Sequence, residues 1–357
     1  MKNANLYLSQ CISGLEAIIV KQMKTDLRGF QDLLVEPGLI VFRCEAREEE
    51  VRKLKYLSNS FLILKWRSNV PSIETFIADI VHSWNPVKRP RPDSFKREST
   101  FRVMFGDAGK LVAVDQRLRS KLELKIASSS GLKLKREGAA VEYWGLRRRS
   151  GESFFAIRIT RRLKTEKNLP KGELRPELAK ILCLLSKPSE SDVFLDPFAG
   201  TGAIPIERAR TSYRKIFATD VDAAKVTGIK SRYLTERENL AKKGRDFFIA
   251  QADATNLGFL GDSSIDKIVC DPPWGIYLAE NYSDDLFQLY SASLNEFARV
   301  TKVGGTIIAL LGRGAFSTKL MHDFRNRLEL VEKHDLLVAG KKATIFCWQR
   351  CSESTHR

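Results

Sequence analysis

Four acidic residues close short apolar runs in the C-terminal half of this chain, and they are the residues whose types and spacing could do chemistry. Asp196 follows Val193-Phe194-Leu195 and opens the segment Asp196-Pro197-Phe198-Ala199-Gly200-Thr201-Gly202-Ala203. Asp220 ends the run that begins at Ile216, 18 residues after Gly202. Asp253 comes after Phe247-Phe248-Ile249, and Asp271 directly follows Ile268-Val269-Cys270. Acids at the carboxyl ends of parallel strands face the crevice where open α/β sheets bind ligands, so these are expected to ring one site.

The glycines at 200 and 202 let a backbone approach a ligand closely, and the start of the following helix offers free N–H groups. The third glycine of a dinucleotide fingerprint is missing, with Pro205 in its place, so no pyrophosphate turn is spelled out. Acids without a phosphate-binding lysine suit a cationic ligand that lacks phosphates. S-adenosylmethionine, with a sulfonium, a ribose and an adenine, meets that description. Asp220 is expected on the ribose diol, with Asp222 the nearby competitor. Helix capping is the plainer alternative for any one of these acids.

Asp271-Pro272-Pro273-Trp274 adds a reactive edge. Two prolines stop the strand and stiffen the loop that leaves it. The exocyclic amine of a nucleobase is a poor nucleophile, because its lone pair is delocalised into the ring. Asp271 and the Pro272 carbonyl could accept its two N–H bonds and favour the pyramidal form, while Trp274 offers a face on which a base can stack. Holding amine and methyl in line would supply most of the rate, with electrostatic help as the nitrogen gains charge.

Strand–helix alternation with about 20–25 residues per unit from Leu174 onward is the pattern of a covered parallel sheet. The alternation ends in two strands, 330–338 and 343–348, around a tight loop at Gly340. Upstream, residues 1–68 read as a small α+β unit with strands at 5–8 and 38–42 and helices at 15–27 and 48–57. Residues 85–99 and 161–172 are basic, proline-containing linkers. Between them, strands are expected at 101–105, 140–146 and 153–159, with a helix over 111–127. That helix carries Val114, Leu118 and Leu122 on one face and Arg117, Lys121 and Lys125 on another.

The formal net charge of the chain is +17, and +11 of it falls within residues 71–170. Such a segment points to a polyanion, with nucleic acid ahead of a membrane surface. The clusters are Lys88-Arg89-x-Arg91, Arg117/Lys121/Lys125, Lys133-x-Lys135-Arg136, Arg147-Arg148-Arg149 and Arg161-Arg162-x-Lys164. The six cysteines form no CxxC pair, which favours a reducing compartment and no structural metal. No run of about 18 apolar residues exists, and the first 20 residues lack the pattern of a cleavable signal. A soluble protein of the cytoplasm is expected.

The segment 196–202 followed by Asp271-Pro272-Pro273-Trp274 resembles the amino-methyltransferases that use S-adenosylmethionine and a [DN]PP[YFW] motif. Leu174-Arg175-Pro176 and Gly275 make it more similar to RNA guanine-N2 enzymes than to DNA adenine enzymes. With Gly14-Leu15-Glu16 and the basic α+β segment, the whole chain resembles the THUMP-containing tRNA (guanine-N2) methyltransferases, in domain order those that act on the acceptor stem (the position 6 type). The resemblance implies a ferredoxin-like domain (1–68), a THUMP RNA-binding domain (69–161), a linker (162–173) and a Rossmann-like α/β methyltransferase domain with a seven-stranded sheet (174–351).

It further implies that Asp196, Pro197, Phe198, Gly200, Thr201, Gly202 and Ala203 contact the methionine end of S-adenosylmethionine. Asp220 would hold its ribose and Asp253 its adenine amine, with Val221 and Ala254 completing the cofactor set. Asp271, Pro272 and Trp274 would be catalytic; where the family usually carries tyrosine, Trp274 keeps a stacking face and lacks the hydroxyl. Arg117, Lys121, Lys125, Lys133, Lys135, Arg147, Arg148 and Arg149 would grip the 3′ end and acceptor stem of a tRNA. A monomer without metal or membrane is expected. A core-stem guanosine, a ribosomal or small nuclear RNA guanosine, and adenine N6 remain the alternative targets.

Overall fold

The computed structural model describes residues 4–83, 100–160, 173–240, 246–274, 283–312, 322–338 and 340–352. Both expected linkers (apart from Glu173), Gly275, the clusters Lys88–Arg91 and Arg161–Lys164 and the tail beyond 352 lie outside the described residues. The chain divides into two compact units, 1–11 with 16–164 and 12–15 with 165–357.

The first unit runs β1 (Asn5–Gln10), α1 (Glu16–Asp26), β2 (Gln31–Glu36), β3 (Leu39–Cys44), α2 (Glu48–Arg52), β4 (Asn59–Arg67), α3 (Ile73–His82), β5 (Thr100–Asp107), β6 (Lys110–Leu111), α4 (Gln116–Ser130), β7 (Lys133–Leu134), β8 (Val141–Arg147) and β9 (Ser153–Arg158). All nine strands join one sheet, ordered β2-β3-β1-β4-β9-β8-β5-β6, with β7 beside β5. Neither β2, β4 nor α3 is foreshadowed in the sequence reading. β4 matters most, because it pairs antiparallel with β1 on one side and with β9 on the other. One sheet therefore runs through both 1–68 and 69–161.

Two expected helices are shorter than their apolar spacing suggests. The helix expected over 48–57 ends at Arg52. The helix expected over 111–127 begins only at Gln116, because the Asp115 carboxylate accepts from Leu118 N–H and caps it there. Leu111 belongs instead to the short strand β6. Leu122 and Ile126 of α4 join Ile73, Phe76 and Ile77 of α3 over Phe101, Tyr143 and Phe155 of the sheet.

The second unit runs α5 (Pro176–Leu185), β10 (Val193–Asp196), α6 (Ala203–Arg208), β11 (Lys215–Asp220), α7 (Ala223–Glu236), β12 (Asp246–Gln251), β13 (Ile265–Cys270), α8 (Ser283–Val300), β14 (Thr301–Gly312), β15 (Leu328–Val338) and β16 (Lys341–Arg350). Its sheet has seven strands in the order β12-β11-β10-β13-β14-β16-β15. The first five are parallel, and β16 runs antiparallel to both β14 and β15. Strand order reverses between β10 and β13, the switch point where such sheets open a ligand crevice at their carboxyl ends. This is the Rossmann-like α/β architecture with the closing hairpin expected above.

The apolar runs of β10, β13 and β14 have no solvent face. Leu195, Ile268 and Ile307 are fully buried and pack with Leu286, Tyr290, Leu294 and Phe297 of α8. Each such side chain contributes roughly 1.5–3 kcal/mol on burial, so the strand ends that carry the acids are held rigidly. Arg208 of α6 is wholly buried as well; it pairs with Asp192 at 2.9 Å and donates to the Ser189 and Ser212 carbonyls, which pins the turn entering β10.

Candidate active site

Asp196 ends β10 with only 1% of its surface exposed. Its Oδ1 accepts from the Phe198 N–H at 3.1 Å, while Oδ2 is buried without a hydrogen-bond partner. Burial, followed by the carboxylates of Asp271 and Asp220, holds this group well above the usual carboxylate range, against the pull of the Phe198 bond. A buried acceptor of this kind fits a ligand that brings a cation or an N–H donor.

The loop after Asp196 is fastened to the next strand. Ala199 N–H donates to the Thr219 carbonyl and Gly200 N–H to Asp220 Oδ2, at 2.9 and 2.8 Å. Gly200 and Gly202 have φ of +52° and +82°, a left-handed backbone that other residues adopt only with strain. Arg232 of α7, absent from the sequence-based set, donates to the Thr201 carbonyl and to Glu173. No local motif advertises that arginine.

Asp220 and Asp222 separate into different roles. Asp220 is buried at the end of β11, and its Oδ1 also accepts from the Asp222 N–H. The Asp222 carboxylate caps α7 through the Ala224 N–H. Val221 between them is exposed, and its carbonyl accepts from Gln251 of β12. Asp253 is exposed past the end of β12 and uses Oδ1 on the N–H and hydroxyl of Thr255, beside buried Ala254.

Asp271 stands half-buried just beyond β13. Burial pushes its carboxyl up to about 7, opposed by the hydrogen bond from Trp274. That bond, indole N–H to Asp271 Oδ1 at 2.9 Å, is missing from the sequence reading, which treats Trp274 only as a stacking face. The Pro273 carbonyl accepts from the Tyr290 hydroxyl of α8, so the loop is tied to the core. Pro272 is buried, and no donor to its carbonyl is found among the described residues.

The basic residues of the first unit are unequal. Arg117, Lys121, Lys133, Lys135 and Arg149 are exposed, and Lys125 is half-buried. Arg147 pairs with Asp107 at 3.0 Å and donates to the Val70 carbonyl. Arg148 pairs with Glu36 at 3.2 Å and donates to the Pro37 carbonyl. Both line a cavity of about 190 Å³ within the first unit, with Trp144, Phe154 and Arg158 among its other walls.

Residues 164–336 match a family described as UPF0020: RMKL-like, methyltransferase domain. A probable tRNA (guanine(10)-N2)-dimethyltransferase of Methanothermococcus thermolithotrophicus is 32% identical over 167 residues, 45% of this chain and 90% of that protein. The tRNA (guanine(6)-N2)-methyltransferase of Thermus thermophilus is 29% identical over 174 residues, 47% of this chain and 49% of its own length. This chain spans half the length or less of most curated relatives that it matches. The crystal structure of TrmN from Thermus thermophilus has the same fold, with a TM-score of 0.76 at 20% identity over 97% of this chain and 99% of that one. The second unit thus carries a methyltransferase domain.

Proposed function

Because this chain belongs to the tRNA (guanine-N2)-methyltransferase family, we propose that it methylates the exocyclic N2 of a guanosine in the acceptor stem of tRNA, at the position 6 type of site. The observation that carries this reading is the Asp271–Trp274 loop, set at the carboxyl end of β13 beside the Asp196 strand end.

Asp196 with the loop through Ala203, Asp220 with Val221, and Asp253 with Ala254 would hold S-adenosylmethionine, which supplies an electrophilic methyl group when bound. The orphaned Asp196 Oδ2 suits its ammonium, and the unused acceptor capacity of Asp220 suits a ribose hydroxyl. Asp271 and the Pro272 carbonyl accept the two N–H bonds of the guanine amine and draw it out of conjugation with the ring. As the nitrogen gains positive charge, the Asp271 carboxylate lowers the energy of that state, and low water access makes the effect larger. Trp274 gives the extruded base a surface.

The first unit, read as ferredoxin-like and THUMP parts meeting at 68/69, grips the RNA through Arg117, Lys121, Lys133 and Lys135. Such contacts read phosphate positions and A-form shape rather than base sequence.

Incubation with labelled S-adenosylmethionine and unmodified tRNA transcripts, followed by digestion to nucleosides, tests the reading. N2-methylguanosine mapped to the acceptor stem is the expected product. Label at a core-stem guanosine would move the site instead, as the name of the 32% identical relative suggests. Methyladenosine would overturn the substrate assignment.

A further inference from the structure

Trp274 is gripped on two sides by the end of β14. Its indole N–H is shared between Asp271 Oδ1 at 2.9 Å and the Leu310 carbonyl at 3.2 Å. Beneath the ring lies Gly312, where a Cβ would come within 2.9 Å of Trp274 Cβ and 3.2 Å of Cγ. Real side chains do not approach so closely, so this strand end admits an indole because residue 312 has no Cβ. The loop is held from the other direction by Tyr290, whose hydroxyl donates to the Pro273 carbonyl.

A ring fixed in this way is poorly placed to act as a mobile stacking plate. It is well placed to direct its one polar atom. Indole N–H is a donor only, and a donor to a carboxylate makes a charge-assisted bond. No lysine or arginine forms an ion pair with Asp271 among the described residues. The titratable groups that feel it are Asp196 at the end of β10, Cys270 on β13 and Tyr290 on α8, and none of them brings positive charge. The described side-chain donor to Asp271 is therefore Trp274 itself.

We propose that Trp274 is a positioning residue: its N–H holds Asp271 Oδ1 so that Oδ2 is turned toward the target amine, and Gly312 is the residue that lets it do so. This rests on the reading of the loop as an amine-binding site. Burial drives Asp271 toward its protonated form, and the indole bond works against that drive. A protonated Asp271 cannot accept the second amine N–H with a full charge behind it.

The test is Trp274→Phe, which keeps a ring over Gly312 and removes the N–H. The acid limb of the kcat/KM profile for tRNA should move up by about one pH unit. The rate at pH 6 then falls about tenfold and at pH 9 recovers to within about twofold, with KM for tRNA little changed. A raised KM with the wild-type pH profile would mean that Trp274 only stacks, and would overturn the proposal. Gly312→Ala, which crowds the indole while retaining its N–H, should move the same limb in the same direction if the phenylalanine variant does not fold.

A second readout needs no substrate. With carboxyl-labelled aspartate, the NMR titration of Asp271 in the cofactor-bound protein should shift upward in Trp274→Phe. An unmoved Asp271 titration sinks the positioning role whatever the substrate proves to be. Absence of guanosine methylation by the wild type, with the titration shifted as expected, sinks the proposed function and leaves this inference standing.

Discussion

Gly200 and Asp220 lie 20 residues apart in the chain and meet through a hydrogen bond, the Gly200 N–H donating to Asp220 Oδ2 at 2.8 Å. The acid expected to hold the ribose is therefore also a post to which the loop proposed to contact the methionine end of the cofactor is tied. A carboxylate has about four acceptor positions, so the tie to Gly200 and the bond from Asp222 N–H leave room for a ligand hydroxyl.

Asp220→Ala should weaken cofactor binding about 10- to 100-fold, because charge-assisted bonds on both sides of the carboxylate are lost. Asp222→Ala should leave cofactor affinity within about twofold and cost roughly 1 kcal/mol of stability, since that side chain caps α7. Equilibrium cofactor titration with thermal denaturation separates the two. Equal losses of affinity in both variants would return the ribose role to Asp222.

Asp271, with its carboxyl pushed up to about 7, must be ionised to accept an amine N–H with full charge. Methyl transfer by the wild type should rise between pH 6 and 8 and flatten above. Asp271→Ala should lower kcat about 10²- to 10⁴-fold at pH 8 and above, with the gap narrowing as the wild type loses its charge below pH 7, and leave the melting temperature no lower than that of the wild type. A flat profile in the wild type would show that another group limits the rate.

Asp196 is the acid most strained by its surroundings, buried with one oxygen unpartnered and two carboxylates near. Its folded-state pKa is raised, so above the ordinary carboxylate range the unfolded chain gives up a proton that the folded one keeps. Stability falls as pH rises through that window. Asp196→Asn should relieve this, raising the melting temperature of the cofactor-free protein by an amount that grows with pH from about 4 upward. Cofactor affinity should fall in the same variant. A melting temperature that drops at pH 8 would show the buried carboxylate to be stabilising as it stands.

The exposed cations of the first unit should behave differently from the paired ones. Reversing Arg117, Lys121, Lys133 and Lys135 together to Glu should weaken tRNA binding tenfold or more and flatten its dependence on salt. Reversing Arg147 or Arg148 should instead destabilise the first unit, because each leaves Asp107 or Glu36 facing a like charge. Filter binding across salt concentrations and thermal melts distinguish these outcomes. Unchanged tRNA affinity in the first variant would remove those residues from the RNA surface.

What the chain reveals without its fold is whatever depends on neighbours in sequence. Apolar runs before Asp196, Asp220, Asp253 and Asp271 announce parallel strands whose carboxyl ends carry acids, though the one before Asp253 proves to be a half-exposed edge strand, and the double proline after Asp271 announces a stiff loop. The periodicity responsible is local, so strands and acids are visible together.

Other features depend on which distant residues meet, and the tertiary structure alone decides them. β4 becomes the strand between β1 and β9 through pairings spread over about a hundred residues, and nothing in its own composition names those partners. Arg147 and Arg148 look like free cations until Asp107 and Glu36 arrive from other strands. Trp274 reads as a stacking face until β14 brings Gly312 beneath its ring and the Leu310 carbonyl to its N–H. A local pattern specifies which face of an element is apolar. It does not specify which hydrogen-bond donor will lie 3 Å from which acceptor, because that distance is set only when the layers pack.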